Sequence, residues 1–252
     1  MKKLLGCLAL MLTLCAPALA SRSAPVYQDP PPAPSVSPSE GELPRYDLTF
    51  PEEMPLEAVN FVLTARGEFE KHPFERLPKN NDYTHWFYED EREIGWCSVF
   101  QIWCANHSGV PLVLYKQDVQ IGDGDVFSAM EGRVGNVYKA FEKHGRWLDG
   151  TAGAVPRPGY LVIYGVRGST PYTHVAIVES VRELGEGMYE LTTVEGNLGS
   201  TIKRLNYRYS AAPKKQYVNM SVIPEAERTV TGCQYTLQKD DWYITGFCQT
   251  WK

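Results

Sequence analysis

The chain has 252 residues, of which 43% are hydrophobic and 22% are charged, and this composition excludes a chain that is disordered throughout. The formal net charge is −5, and it becomes −7 when the first 20 residues, which carry Lys2 and Lys3 but no acid, are removed. Because binding to a nucleic-acid backbone rests on a basic surface, the acidic balance argues against a nucleic-acid partner.

The first 20 residues have the pattern of a secretory signal peptide. Lys2 and Lys3 give a positive start, residues 4–15 are apolar, and a small-x-small ending predicts cleavage after Ala20. A membrane anchor is the alternative, but the apolar stretch is short for one and Pro17 breaks it. We therefore expect a secreted, extracytoplasmic protein without a membrane partner after cleavage.

Six cysteines divide by position. Cys7 and Cys15 leave with the signal peptide, and an exported chain permits disulfides among those that remain. Cys233 and Cys248 flank a polar turn at residues 239–241, so the segment predicts a C-terminal hairpin closed by a Cys233–Cys248 bridge. Such a bridge contributes about 3 kcal/mol in the loop-entropy model. Two reduced core cysteines are the alternative to this pairing.

Composition divides the chain into four segments. After the signal peptide, residues 21–50 are rich in Pro and Ser and predict an extended linker. Residues 51–224 carry the patterns of a folded domain, and residues 225–252 form the predicted hairpin extension.

The first part of the domain favours helices. Apolar residues at helical spacing follow an acidic first turn and predict a helix that ends near Gly67. Residues 76–90 are polar and aromatic and predict an irregular loop. A buried helix with a glycine stop is predicted over residues 96–109, and another helix within residues 126–144.

Beyond Pro156 the pattern changes to short β-branched and aromatic segments, which predict strands. These segments are residues 160–164, 173–181, 188–195, 201–207 and 218–223. Helices followed by neighbouring strands indicate an α+β fold in which an antiparallel sheet carries a helical layer on one face.

Cys97 lies at the predicted start of a helix, where free N–H groups and the helix dipole lower the pKa of a thiol and favour the nucleophilic thiolate. Cys104 lies two turns deeper, where burial raises the pKa of a thiol instead. Cys104 and His107 supply only two local ligands, so we expect neither a metal ion nor another cofactor.

His174 opens an apolar strand and is the candidate base for such a thiolate. The next strand ends at Glu195, which shares a face with Asn197, so either side chain is placed to accept a hydrogen bond from the imidazole. Cys97, His174 and Glu195 or Asn197 thus predict a nucleophile, a base and an orienting group. The alternatives are a core cysteine, a hydrogen-bonded strand histidine and a turn at residues 195–197.

Several segments together resemble the CHAP family, the cysteine- and histidine-dependent amidohydrolases/peptidases that act on bacterial peptidoglycan. They are Gly95-Trp96-Cys97-Ser98-Val99-Phe100-Gln101-Ile102-Trp103-Cys104, Gly109-Val110-Pro111, Pro156-Arg157-Pro158-Gly159, Thr173-His174-Val175-Ala176-Ile177-Val178 and Val194-Glu195-Gly196-Asn197. The resemblance implies a papain-like α+β fold with Cys97 as nucleophile, His174 as base, and Glu195 and Asn197 as candidate partners of the imidazole. Tyr160 departs from the pattern, since the family often has Asp after Pro-Gly.

The implied function is a secreted hydrolase that acts on peptidoglycan as a monomer. Family members cut either the N-acetylmuramoyl-L-alanine amide or a bond within the stem peptide or cross-bridge. A catalytically silent wall-binding module and a cysteine acyltransferase or peptidase acting on protein are the alternatives. The backbone N–H of Cys97 is the expected oxyanion donor, and Tyr83, Trp86, Trp96 and Tyr172 are candidates to line a groove.

Overall fold

The computed structural model describes residues 48–73, 75–90, 93–217, 222–235 and 241–252. All of them belong to one of the two units into which the chain divides, Val36–Lys252. The predicted signal peptide with Cys7 and Cys15, nearly all of the predicted linker and most of the predicted strand 218–223 lie outside the described residues, as does most of the polar turn 239–241.

The described residues form four α-helices. They are α1 (Leu56–Lys71), α2 (Asp82–Tyr88), α3 (Cys97–His107) and α4 (Val134–Lys143). α1, α3 and α4 occur where helices are predicted, and α3 ends before Gly109, whose φ of 78° leaves the helical region. Within this described part of the chain, none of the helices is both long and apolar enough to span a bilayer.

The α2 helix corrects the loop predicted over residues 76–90. Asn81 caps it, since its side-chain oxygen accepts from the backbone N–H groups of Tyr83 at 3.1 Å and Thr84 at 3.2 Å. These two bonds satisfy donors that an uncapped helix leaves without partners. Tyr83 then anchors α2 to α1, because its hydroxyl donates to Glu68 at 2.8 Å. The aromatic and polar composition of residues 76–90 is typical of a loop, so it masks the helix-capping signal of Asn81.

The strands form a small parallel pair and a seven-stranded antiparallel sheet. They are β1 (Leu112–Val113), β2 (Ser128–Ala129), β3 (Trp147–Asp149), β4 (Leu161–Val166), β5 (His174–Gly185), β6 (Met188–Glu195), β7 (Lys203–Ser210), β8 (Gln216–Tyr217) and β9 (Trp242–Cys248). The order in the sheet is β3-β9-β4-β5-β6-β7, with β8 also paired to β9. The α+β prediction is confirmed.

The sheet is curved, so its two faces have different roles. Tyr164 of β4 and Tyr207 of β7 bring their hydroxyls within 2.7 Å although β5 and β6 lie between these strands. The face that carries both tyrosines is therefore concave. Helices α1 and α3 pack against β5 on the other face, where Arg66 of α1 donates to Glu179 of β5 at 2.8 Å. This arrangement is the predicted helical layer on one face of the sheet.

The C-terminal segment does not form the predicted hairpin. Gln234 bridges Leu205 of β7, whereas β9 pairs with β3, β4 and β8. Cys233 and Cys248 are thus attached to strands that β4, β5 and β6 separate in the sheet, and both thiols are free. A disulfide needs Cα atoms about 6 Å apart, which only closely neighbouring segments provide. The predicted bridge is not formed, because β9, which carries Cys248, belongs to the central sheet.

Candidate active site

Cys97 is the first residue of α3 and is held by an aromatic support. Trp96, which precedes it, is fully buried and stacks on Tyr83 with ring centroids 5.6 Å apart. Gly196 allows this packing, because a Cβ atom there would lie 2.4 Å from the Cβ of Phe100 and 2.9 Å from the ring of Trp96. As a residue, Cys97 remains partly exposed above this aromatic support.

His174 is the first residue of β5 and pairs in register with Tyr164 of β4. Its side chain is buried, and its ring lies 5.2 Å from that of Trp242 and 5.8 Å from that of Tyr164. Packing between these two aromatic side chains limits the orientations of the imidazole, which lies at the end of the sheet where β5 begins.

Glu195 is the last residue of β6 and is fully buried. The pairing of Ile177 with Val194 places His174 and Glu195 on one face as diagonal neighbours, and Glu195 Oε2 lies 2.9 Å from His174 Nε2. Because Glu195 occupies Nε2, the other ring nitrogen, Nδ1, is left for the Cys97 thiol, which is hydrogen-bonded to the His174 side chain. The three side chains form one continuous chain of contacts.

This contact chain favours a thiolate and an imidazolium. Burial acts to raise the pKa of Cys97, but the hydrogen bond and charge of His174, with backbone N–H groups of Ser98 and Val175, bring that pKa below its ordinary value. Burial acts to lower the pKa of His174, but hydrogen bonds to Cys97 and Glu195 raise it to about 10. Between these two pKa values the thiol is ionised and the imidazole carries a proton.

The second cysteine of α3 has the opposite environment. Cys104 is buried, and this burial raises the pKa of its thiol well above the ordinary value. His107 turns away from it and bonds through Nδ1 to the carbonyl of Trp103 at 2.8 Å. Over the ranges that the structure describes, no group of three or more His, Cys, Asp or Glu is arranged to hold a metal ion.

Asn197 makes no hydrogen bond to the imidazole in the part of the chain that the structure describes. Its backbone has a φ of 61°, which turns the chain after β6, and its amide faces Gly95, where a Cβ atom would lie 3.4 Å from Nδ2. Of the two candidates for the orienting group, Glu195 is the one that contacts His174. Asn197 belongs to the loop beside the start of α3.

The expected groove aromatics divide into two groups. Tyr83 and Trp96 are core residues with 4% and 0% of their surface exposed, so their prediction as groove residues is wrong. They form the support under Cys97 instead. Tyr172, two residues before His174, is partly exposed and stacks on Tyr138 at 4.2 Å. Trp86 is also partly exposed and lies 5.8 Å from the ring of His107.

Tyr160, the departure from the family pattern, is a core residue beside β4. Its ring lies 5.8 Å from that of Trp251, and its hydroxyl accepts from Gln249 Nε2 at 3.2 Å. The substitution for Asp is therefore accommodated by packing and one hydrogen bond, away from the contacts of His174.

Three hydroxyl groups around Glu195 complete the site. Glu195 Oε1 accepts from Tyr164 at 3.0 Å and from Thr193 at 2.8 Å, and Tyr207 meets the hydroxyl of Tyr164. Strand alternation places Thr193 on the face of Glu195. No pattern in the sequence links the two tyrosines to Glu195, because they come from β4 and β7, which only the curvature of the sheet brings together.

Comparison with known proteins agrees with this geometry. The family model described as CHAP domain matches residues 88–197, a range that contains Cys97, His174 and Glu195. Searches of curated proteins and of solved structures found no match to the chain. The CHAP family is one of cysteine- and histidine-dependent amidohydrolases/peptidases that act on peptidoglycan. Residues 88–197 of the chain are therefore similar to the CHAP domain family.

Proposed function

We propose that the protein is an exported cysteine hydrolase that cleaves an amide bond of bacterial peptidoglycan. The observation that carries this proposal is the buried contact between His174 and Glu195, at 2.9 Å, beside a partly exposed Cys97 at the start of α3. This arrangement supplies the nucleophile, the proton carrier and the group that orients it.

In the first half of the proposed reaction, the Cys97 thiolate attacks the carbonyl carbon of the amide. The carbonyl oxygen takes up the displaced electron pair and faces the backbone N–H of Cys97. His174 then gives its Nδ1 proton to the nitrogen of the leaving amine, and the C–N bond breaks. The products of this half are a free amine and a thioester on Cys97.

In the second half, neutral His174 takes a proton from water at Nδ1, and the resulting hydroxide attacks the thioester. The C–S bond breaks, the acid product leaves, and the Cys97 thiolate and the His174 imidazolium are restored. Glu195 keeps the proton of Nε2 in place through both halves, which fixes the nitrogen that performs the chemistry.

Export and wall contact are part of the proposal. The signal-like first 20 residues support export, and the Pro-rich segment that follows supports a tether. A net charge of −7 after cleavage does not attract the protein to anionic wall polymers, so we propose that recognition resides at the site of Cys97 itself. The bond cut is either the muramoyl–alanine amide or a stem or cross-bridge amide.

The test is the Cys97→Ala variant on purified cell walls, followed by turbidity and by mass spectrometry of the released fragments. Wild-type protein clears the walls, and Cys97→Ala loses this activity because no nucleophile remains. Cys104→Ala is the matched control on the same helix and retains activity when circular dichroism shows it folded. The masses of the products identify the bond.

Two results would overturn the proposal. Walls that the wild-type protein binds without releasing fragments would indicate a silent binding module. Cleavage or acyl transfer on proteins, with no release of wall fragments, would assign the same cysteine to a protein substrate.

A further inference from the structure

The carboxylate of Glu195 has two oxygens with different partners, and only Oε2 faces His174. Oε1 accepts hydrogen bonds from Tyr164 at 3.0 Å and from Thr193 at 2.8 Å. The hydroxyl of Tyr164 lies 2.7 Å from that of Tyr207. All four of these side chains are buried, so solvent does not compete for the bonds.

The direction of these bonds follows from counting protons. An ionised carboxylate only accepts hydrogen bonds, so Tyr164 donates its single hydroxyl proton to Glu195. The bond between the two tyrosines must then be donated by Tyr207 to the oxygen of Tyr164. The result is a one-way chain from Tyr207 through Tyr164 to Glu195, which ends at Nε2 of His174.

The two tyrosines remain protonated donors over the working range of the protein. Burial first, and then the charge of Glu195, raises the pKa of Tyr164 well above its ordinary value, and the same causes raise the pKa of Tyr207. Neither hydroxyl therefore becomes an anion beside Glu195. Among the titratable groups around Glu195, His174 from β5 and Tyr164 from β4 bond to it directly, Tyr207 from β7 reaches it through Tyr164, and Cys97 from α3 reaches it through His174.

A carboxylate in an apolar interior needs donors to remain ionised, because burial alone favours its protonated form. Hydroxyl donors stabilise the carboxylate more than the neutral acid, because hydrogen bonds to an ionised acceptor are stronger. An ionised Glu195 in turn stabilises the imidazolium of His174, which stabilises the thiolate of Cys97. The tyrosines therefore influence the Cys97 thiolate through Glu195 and His174, without contacting it.

We infer that Tyr164 and Tyr207 are positioning residues, which hold the carboxylate of Glu195 oriented toward His174 by the chain of hydroxyl donations. This inference rests on the proposed roles of Cys97 and His174. It adds a layer of the site that is contributed by β4 and β7, on the concave face of the sheet.

The experiment measures the rate at which iodoacetamide alkylates Cys97 as a function of pH, with the modified peptide quantified by mass spectrometry. Tyr164→Phe removes one hydroxyl and keeps the ring. Without that donor the Glu195 carboxylate is held less firmly against His174, so the imidazolium and the Cys97 thiolate that it stabilises form less readily and the thiol is alkylated at higher pH. We expect the alkylation curve to move upward by up to about one pH unit, the size of one lost hydrogen bond to a charged group, because the effect reaches Cys97 only through Glu195 and His174. Tyr207→Phe gives a smaller shift in the same direction.

Tyr209→Phe is the matched control, because Tyr209 is a buried tyrosine of β7 whose hydroxyl donates to the carbonyl of Ala154 at 2.9 Å. Its curve should coincide with that of the wild-type protein. The second comparison uses a Glu195→Gln background, which has no anion to stabilise. There Tyr164→Phe should produce no further shift, whereas a purely structural effect of the hydroxyl would persist.

Wild-type curves for folded Tyr164→Phe and Tyr207→Phe would overturn the inference, and so would a shift that survives in the Glu195→Gln background. If Tyr164→Phe does not fold by circular dichroism, Tyr207→Phe decides the outcome alone. Wall clearing is measured on the same samples. Shifted curves in the variants, together with a wild-type protein that releases no wall fragments, would contradict the proposed function alone. Wall cleavage by the wild-type protein without shifted curves in the variants would contradict this inference alone.

Discussion

Glu195 and His174 meet as diagonal neighbours on adjacent antiparallel strands, with 2.9 Å between Oε2 and Nε2. Each is the terminal residue of its strand at the same end of the sheet, so backbone hydrogen bonding fixes the positions of both Cα atoms. This end of the sheet faces the start of α3, so the imidazole of His174 is held in a fixed orientation beside Cys97. The first prediction therefore concerns the contact between Glu195 and His174.

Glu195→Gln should lower kcat by about 100-fold or more, because a neutral amide does not stabilise the imidazolium of His174. KM should change little, since the side chain is buried behind His174 and away from substrate. The measurement is the rate of fragment release from walls at several wall concentrations.

Glu190→Gln is the control for this prediction. Glu190 is a buried glutamate of the same strand whose side chain points to the other face, where Arg182 and Thr229 donate to it. Equal losses of kcat in the two variants would show that any buried charge on β6 matters and that the contact with His174 is not special.

The pH dependence of activity follows from two pKa values. The pKa of Cys97 lies below its ordinary value, so the thiolate persists at pH values where an unperturbed thiol is protonated. The pKa of His174 is about 10, so the proton needed by the leaving amine is lost as pH rises through that value. Wall hydrolysis should therefore reach its plateau below the pH at which free cysteine ionises and should fall near pH 10.

Alkylation of Cys97 by iodoacetamide separates the two limbs, because this reaction needs the thiolate but no proton donor. It should rise together with hydrolysis at low pH and should not fall near pH 10. A thiol that alkylates with the pH profile of free cysteine would contradict the ion pair.

The local parts of the site were predictable from sequence. The helix that begins at Cys97 and the strand that begins at His174 each show their own periodicity, and alternation along β6 places Thr193 and Glu195 on one face. These predictions need no knowledge of the rest of the chain, because side-chain period and secondary structure are set by neighbours in sequence.

The non-local parts were not predictable in this way. β9 inserts between β3 and β4, so Cys248 enters the core and no hairpin forms with Cys233. Tyr164 and Tyr207 meet only because the sheet curves, and no spacing in the sequence records that curvature. Alternation along the strand leaves Glu195 and Asn197 on one face, and only the tertiary contact of Glu195 with His174 separates the two candidates.

Gly196→Ala should destabilise the fold and disturb the nucleophile together. A methyl group at Gly196 would lie 2.4 Å from the Cβ of Phe100 and 2.9 Å from the ring of Trp96, and Trp96 directly precedes Cys97. Overpacking of this kind costs about 1–3 kcal/mol of unfolding free energy. Chemical denaturation measures that cost, and alkylation of Cys97 measures the displacement of the thiol.

Gly124→Ala is the control for the glycine prediction, because a Cβ atom there meets nothing within 4 Å and the backbone is not in the left-handed region. This variant should match the wild-type protein in both measurements. Equal unfolding free energies for Gly196→Ala and Gly124→Ala would mean that the side chains packed between α3 and the end of β6 rearrange without loss of stability.

The last prediction concerns Glu179, which holds α1 to the convex face of the sheet. It is fully buried and accepts from Arg66 of α1 at 2.8 Å and from Arg204 of β7 at 2.6 Å. Glu179→Gln removes the charge between two guanidinium groups, so it should lower the unfolding free energy by about 3–5 kcal/mol, as expected when one partner of a buried ion pair is lost.

The control is Glu70→Gln, since Glu70 pairs with the same Arg66 but is largely exposed, and such a pair contributes about 0–1 kcal/mol. Urea denaturation of both variants makes the comparison, and wall hydrolysis per folded molecule should be unchanged in both, because Glu179 lies on the face opposite His174. Similar unfolding free energies for the two variants would refute the role of Glu179. A loss of activity in folded Glu179→Gln would show instead that the ion pair on the convex face is coupled to the site on the concave one.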